Sequence, residues 1–156
     1  MVCKFCLDKN VVEIGLDEKD KYSALNKISK MLLDNGYVKD SYPKSVIERE
    51  KVFPTGLIAE SYGIAIPHTD TEHVISPMIA IATLKDPIEF NMMGGDESDT
   101  ISVKVIFMLA MNDGHAQIKL LQNIMSIIQN TSLMEKIYQA NNKDELIHLL
   151  NDKLSV

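Results

Sequence analysis

The chain has 156 residues, 46% of them hydrophobic and 24% charged, and carries a formal net charge of −6. That length closes one hydrophobic core, so a single domain over residues 1–156 is expected, with its core at about 10–151. The acidic balance and the lack of any Lys or Arg cluster exclude broad nucleic-acid binding, which needs a basic face.

The first residues, Met1 to Asp8, offer no apolar run followed by a small-residue cleavage site, so no secretory signal is read and a cytoplasmic location is expected. They do hold Cys3-x-x-Cys6. A structural zinc site needs four ligands and no second cysteine pair exists, so the two cysteines read as free thiols. Val11 to Ile14 is β-branched, precedes Gly15 and predicts a strand. From Lys19 to Asp34, apolar Tyr22, Leu25, Ile28, Met31 and Leu32 recur at helical spacing, with Asp17 or Asp20 as N-cap and Gly36 as stop. A second helix is predicted from Tyr42 to Val52, with Pro43 in its first turn, and Pro54-Thr55-Gly56-Leu57 breaks it.

A loop then leads to the short apolar stretch Gly63 to Ile66, stopped by Pro67. Met78–Leu84 and Val103–Met111 read as strands with at least one buried face, and Ile88–Phe90 as a short strand. The run Val103–Met111 contains Lys104 and is far shorter than the roughly 20 residues that cross a bilayer, so no direct membrane insertion is expected. Asn91 to Thr100, with Gly94-Gly95 and three acids, reads as an exposed loop. Ile118, Leu121, Ile124, Met125 and Ile128 form the stripe of a helix over His115–Gln129, opened by Asn112-Asp113-Gly114, and two shorter helices follow around Leu133–Tyr138 and Leu146–Leu150. Strands interspersed with helices predict an α/β domain with a mixed sheet packed between helical layers.

The candidate chemistry centres on His68. Pro67 fixes its own φ and pushes Ile66 toward an extended conformation, so His68 follows a stiff apolar strand where the chain reaches the surface. Imidazole can serve there as nucleophile, base or ligand, or as a plain hydrogen-bonded surface group. His115 opens a long helix, whose free N–H groups and positive dipole suit a phosphate and disfavour imidazolium; the alternative is a histidine that only occupies a first turn. Arg49 reads either as a phosphate-recognising guanidinium or as a solvated residue pairing with Glu48 or Glu50. His68, Asp70 and His73 suggest a metal, but no third histidine or comparable ligand is placed beside the two, so no metal site is assigned, and His148 reads as solvent-facing. No Walker or dinucleotide glycine pattern is present, and no cofactor is called for.

The stretch from Arg49-Glu50 through Phe53-Pro54-Thr55-Gly56-Leu57 to Gly63-Ile64-Ala65-Ile66-Pro67-His68-Thr69-Asp70 resembles the IIA domain of the fructose-mannitol class of the bacterial phosphoenolpyruvate-dependent sugar phosphotransferase system. The likeness extends from the first helix to Leu150. It implies that His68 receives a phosphoryl group from the phosphocarrier protein HPr, on Nε2, and passes it to a IIB component. It also implies that His115 and Arg49 flank the phosphohistidine, and that the chain is linked only indirectly to a membrane IIC component. Thr69 stands where fructose and mannitol members commonly carry Gly or Ala, and Pro-His-Thr-Asp-x-Glu-His-Val looks most like the galactitol-type branch. The alternative function is that of a regulatory IIA-like protein whose phosphorylation state controls a transporter, a kinase or a transcription factor.

Overall fold

Met78–Leu84 and Val103–Ala110 are largely apolar because both faces of the chain are covered along these segments. In a computed structural model of the chain, which describes residues 7–59 and 62–154, β1 (Val12–Leu16), β2 (Gly56–Ile58), β3 (Gly63–Ala65), β4 (Met78–Asn91) and β5 (Thr100–Ala110) form one sheet in the order β1-β4-β5-β3-β2. β1 runs parallel to β4 and β3 parallel to β5, while the β4–β5 and β2–β3 pairs are antiparallel. Cys3 and Cys6 lie outside the described residues.

Successive residues of a strand face opposite sides of its sheet, and the two sides have different partners. Ile79, Ile81, Val105, Phe107 and Leu109 pack with Leu120, Ile124, Ile137 and Leu146 of α3 (Gly114–Ile128), α4 (Thr131–Gln139) and α5 (Lys143–Leu150). The intervening Ala80, Ala82, Ile106, Met108 and Ala110 pack with Leu25, Ile28, Leu32 and Val46 of α1 (Lys21–Asp34) and α2 (Tyr42–Val52). The result is the mixed sheet between helical layers that the sequence predicts. Among the described residues, no helix is long and apolar enough to cross a membrane.

Side-chain caps set where the helices begin. Asp20, not Asp17, caps α1, accepting from the backbone N–H groups of Tyr22 and Ser23. Asp113 caps α3 by accepting from His115 N at 3.0 Å. Such caps are each worth about 1 kcal/mol.

Two elements differ from the sequence reading. Met78–Leu84 and Ile88–Phe90 belong to a single strand, β4, whose pairing shifts register between Thr83 and Ile88. Pro87, exposed at that irregularity, lacks an N–H but interrupts no regular ladder there. The second difference is β2, which occupies part of the region read as a helix break and loop. Three residues are too few for an alternating pattern to register. Gly56 is required in β2, since a Cβ there would lie 2.6 Å from the Asn91 backbone oxygen.

Candidate functional site

β3 delivers His68 to the surface and its neighbours hold it there. Ile64 and Ile66 are buried on the α3 side of the sheet, and Pro67 O accepts from Leu109 N at 3.0 Å. On the other flank, Thr69 is buried and its hydroxyl bonds the Ser45 hydroxyl of α2. Tyr42, fully buried at the start of α2, donates its hydroxyl to Leu109 O at 2.6 Å, so α2, β5 and the His68 segment are tied together. His68 sits between these anchors with its ring half-buried.

The ring's tautomer follows from one contact. His68 Nδ1 lies 2.8 Å from Ile66 O. A carbonyl oxygen only accepts, so Nδ1 carries the proton, and in the neutral ring Nε2 keeps a free lone pair. Burial pushes the His68 pKa below its ordinary 6.5, and the Arg49 cation adds to this, while the Ile66 carbonyl and the Asp70 carboxylate oppose it. The neutral, nucleophilic form therefore dominates at neutral pH.

His68 opens on a cavity of ≈ 380 Å³ whose lining includes Arg49, Asp70, Glu72 and Gln117. The Arg49 guanidinium stacks 5.0 Å from the Phe53 ring and lies 3.6 Å from Asp70 Oδ1. Its acidic partner is thus Asp70, and neither of the helix neighbours that the sequence suggests: Glu48 pairs with Lys51 at 3.3 Å, and Glu50 is buried.

His115 is exposed in the first turn of α3 and does not line this cavity; Gln117, two residues on, does. The Gln117 side-chain carbonyl oxygen is buried without a hydrogen-bond partner. A Gln beside an apolar stripe reads as solvated, so nothing in the sequence marked it. His73 does not line this cavity; its Nδ1 lies 2.8 Å from the Ser41 hydroxyl and its Nε2 3.7 Å from Glu72 Oε1. Among the described residues, no group of three or more His, Cys, Asp or Glu is placed to hold a metal ion. His148 is exposed on α5.

Behind the site lies Glu50, only 4% exposed. Its two carboxylate oxygens accept from Thr55 N and from the Thr55 hydroxyl, both at 2.8 Å. Burial raises its pKa from 4.5 to about 6, against lowering by the Thr55 bonds and the Lys21 charge. The native protein thus takes up this proton at higher pH than the unfolded chain does. The associated stability is present in full below pH 4.5 and is lost as pH rises through 6, a swing of up to about 2 kcal/mol. Urea unfolding checks this. Between pH 7.5 and pH 4.5 the wild-type unfolding free energy should gain about 2 kcal/mol relative to that of Glu50→Gln, which has no carboxyl to protonate.

The comparisons with known proteins agree with this architecture. A family model described as "Phosphoenolpyruvate-dependent sugar phosphotransferase system, EIIA 2" matches residues 5–153. The chain is 29% identical over 126 residues to the galactitol-specific EIIA component of Escherichia coli K12, covering 81% of this chain and 83% of that protein. The crystal structure of IIA mannitol from Escherichia coli superposes with a TM-score of 0.77 at 23% identity, over 94% of this chain and 99% of that one. In a solution structure of a complex between enzyme IIA mannitol and phosphorylated enzyme IIB mannitol, also from Escherichia coli, a chain matches with a TM-score of 0.75 at 22% identity, covering 92% of this chain and 96% of that chain.

Proposed function

The chain belongs to the EIIA 2 family of the phosphoenolpyruvate-dependent sugar phosphotransferase system, and from that premise we propose that it carries a phosphoryl group on His68 Nε2, received from HPr and passed to a IIB component. The observation that supports this most is the Nδ1 to Ile66 O hydrogen bond, which leaves Nε2 as the free lone pair. In the transfer, the N–P bond of the donor's phosphohistidine breaks as the Nε2–P bond forms. The Nδ1 proton stays in place. The ring becomes an N-phosphoimidazolium whose charge meets the Ile66 carbonyl, and this keeps the group ready to leave again.

Arg49 is assigned the phosphoryl oxygens, as a guanidinium in the same cavity. His115 is assigned a supporting part from the amino end of α3, exposed and outside the cavity lining. His115→Ala should lower the transfer rate by about two- to tenfold, the worth of one hydrogen bond. Unchanged kinetics would remove His115 from the mechanism. Galactitol-like uptake is the proposed pathway, on the likeness to the galactitol-specific component. The test is incubation with phosphoenolpyruvate, enzyme I and HPr, followed by addition of candidate IIB proteins. Labelling of this chain and rapid discharge to one IIB is the expected result, and absence of label would overturn the proposal.

A further inference from the structure

Two residues of the Arg49-to-His68 stretch, Glu50 and Thr55, touch neither the cavity nor the reacting nitrogen, yet they are joined to His68 by an unbroken set of contacts. β3 ends at Ala65, so the N–H of Ile66 has no strand partner. It donates instead to the Thr55 hydroxyl oxygen at 3.1 Å. That oxygen is free to accept because its own proton is committed to Glu50 Oε1 at 2.8 Å. The other Glu50 oxygen holds Thr55 N at 2.8 Å. Ile66 is therefore gripped at its N–H by Thr55 and presents its carbonyl to His68 Nδ1 at 2.8 Å. The peptide between Ile66 and Pro67 has no N–H of its own, so it cannot be held from that side.

We infer that Glu50 is a positioning residue for His68: acting through the Thr55 hydroxyl and Ile66, its buried carboxylate holds the carbonyl that fixes the His68 tautomer and presents Nε2 for reaction. Only the ionised carboxylate does this fully. A carboxylate accepts at both oxygens, whereas a Gln amide offers one acceptor and turns an N–H donor against one of the two Thr55 donors. A buried polar network with every member satisfied holds one geometry; with one member mismatched it loosens. Lys21 of α1 is the cation acting on Glu50, and its ammonium is bonded to the Asn91 side chain.

The inference rests on the phosphoryl-carrier reading for its kinetic consequence but not for its structural one, so two readouts separate them. Nitrogen-15 NMR of the unphosphorylated histidines reports the His68 tautomer without any donor. Wild type should show a protonated Nδ1 and a bare Nε2, while Glu50→Gln and Thr55→Val should move both nitrogens toward averaged tautomers. Thr55→Ser, which keeps the hydroxyl, should restore the wild-type pattern. In the labelling assay the first two variants should accept phosphate about tenfold more slowly or worse, as small misplacement of a reacting group costs. If Thr55→Val does not fold, Glu50→Gln, equal in size to wild type, decides alone. Wild-type nitrogen shifts in folded Glu50→Gln would overturn the inference. A wild-type protein that takes no label would overturn the carrier reading and leave the tautomer result to judge Glu50.

Discussion

His68→Ala should lose phosphoryl acceptance from HPr altogether, with label falling to background. The expectation rests on there being no second histidine in the cavity lining among the described residues. His73 is held by Ser41, His148 lies on α5 and His115 is outside the cavity. Covalent transfer needs a nitrogen lone pair presented in line with the phosphorus, and removal of that atom cannot be made good by the cavity's charges. Because the His68 pKa is held below 6.5, wild-type acceptance should be flat across pH 7 to 8 and decline only on the acid side, where protonation removes the lone pair. The label should be acid-labile, as a phosphoramidate is. Retained label in a folded His68→Ala protein would refute the assignment.

How far the site could be read from the sequence depended on whether a residue's partners were local. The stripe of α5 and the apolar runs of β4 and β5 were legible because each repeats over successive turns or pleats. The stripe read on α3 was misplaced: its buried residues are Leu120, Ile124 and Ile127, and Ile118 and Met125 are exposed, because apolar side chains surround that helix and leave more than one face to choose from. His68 was legible because Pro67 and the apolar strand before it define its place. Glu50 was not, for it lies among Lys and Glu on a helix that reads as solvated. A spacing signal did exist: Tyr42, Val46 and Glu50 are the buried residues of α2 and stand four apart, which places Glu50 on the helix's inner face. Charge argued the other way, and only the partnership with Thr55, five residues on through a break, explains why a carboxylate can occupy that position. Neutral pH keeps this buried group ionised at a cost in stability. Such a cost is ordinary where a site needs a defined acceptor geometry.

The second large effect is expected at Arg49. Its ground-state contacts are modest: a 3.6 Å approach to Asp70, which is itself 69% exposed, and a stacking contact with the exposed Phe53. An ion pair of this kind contributes about 0 to 1 kcal/mol to stability. Arg49→Ala should therefore unfold at nearly the wild-type temperature. In the proposed transfer step the situation would differ, because negative charge is then spread over three phosphoryl oxygens beside a half-buried ring, where a fixed guanidinium stabilises it without reorganising. Loss of one such donor should slow transfer by about 10²–10³-fold. Arg49→Lys should recover part of this, since it restores charge but not the planar fork. A second readout follows from the same geometry. Burial holds the His68 pKa down and the Arg49 charge adds to it, so removal of Arg49 should move the acid limb of the rate profile to higher pH. A merely structural arginine would change the melting temperature and leave that limb in place, and transfer within a few-fold of wild type would show that the guanidinium does not meet the phosphoryl group.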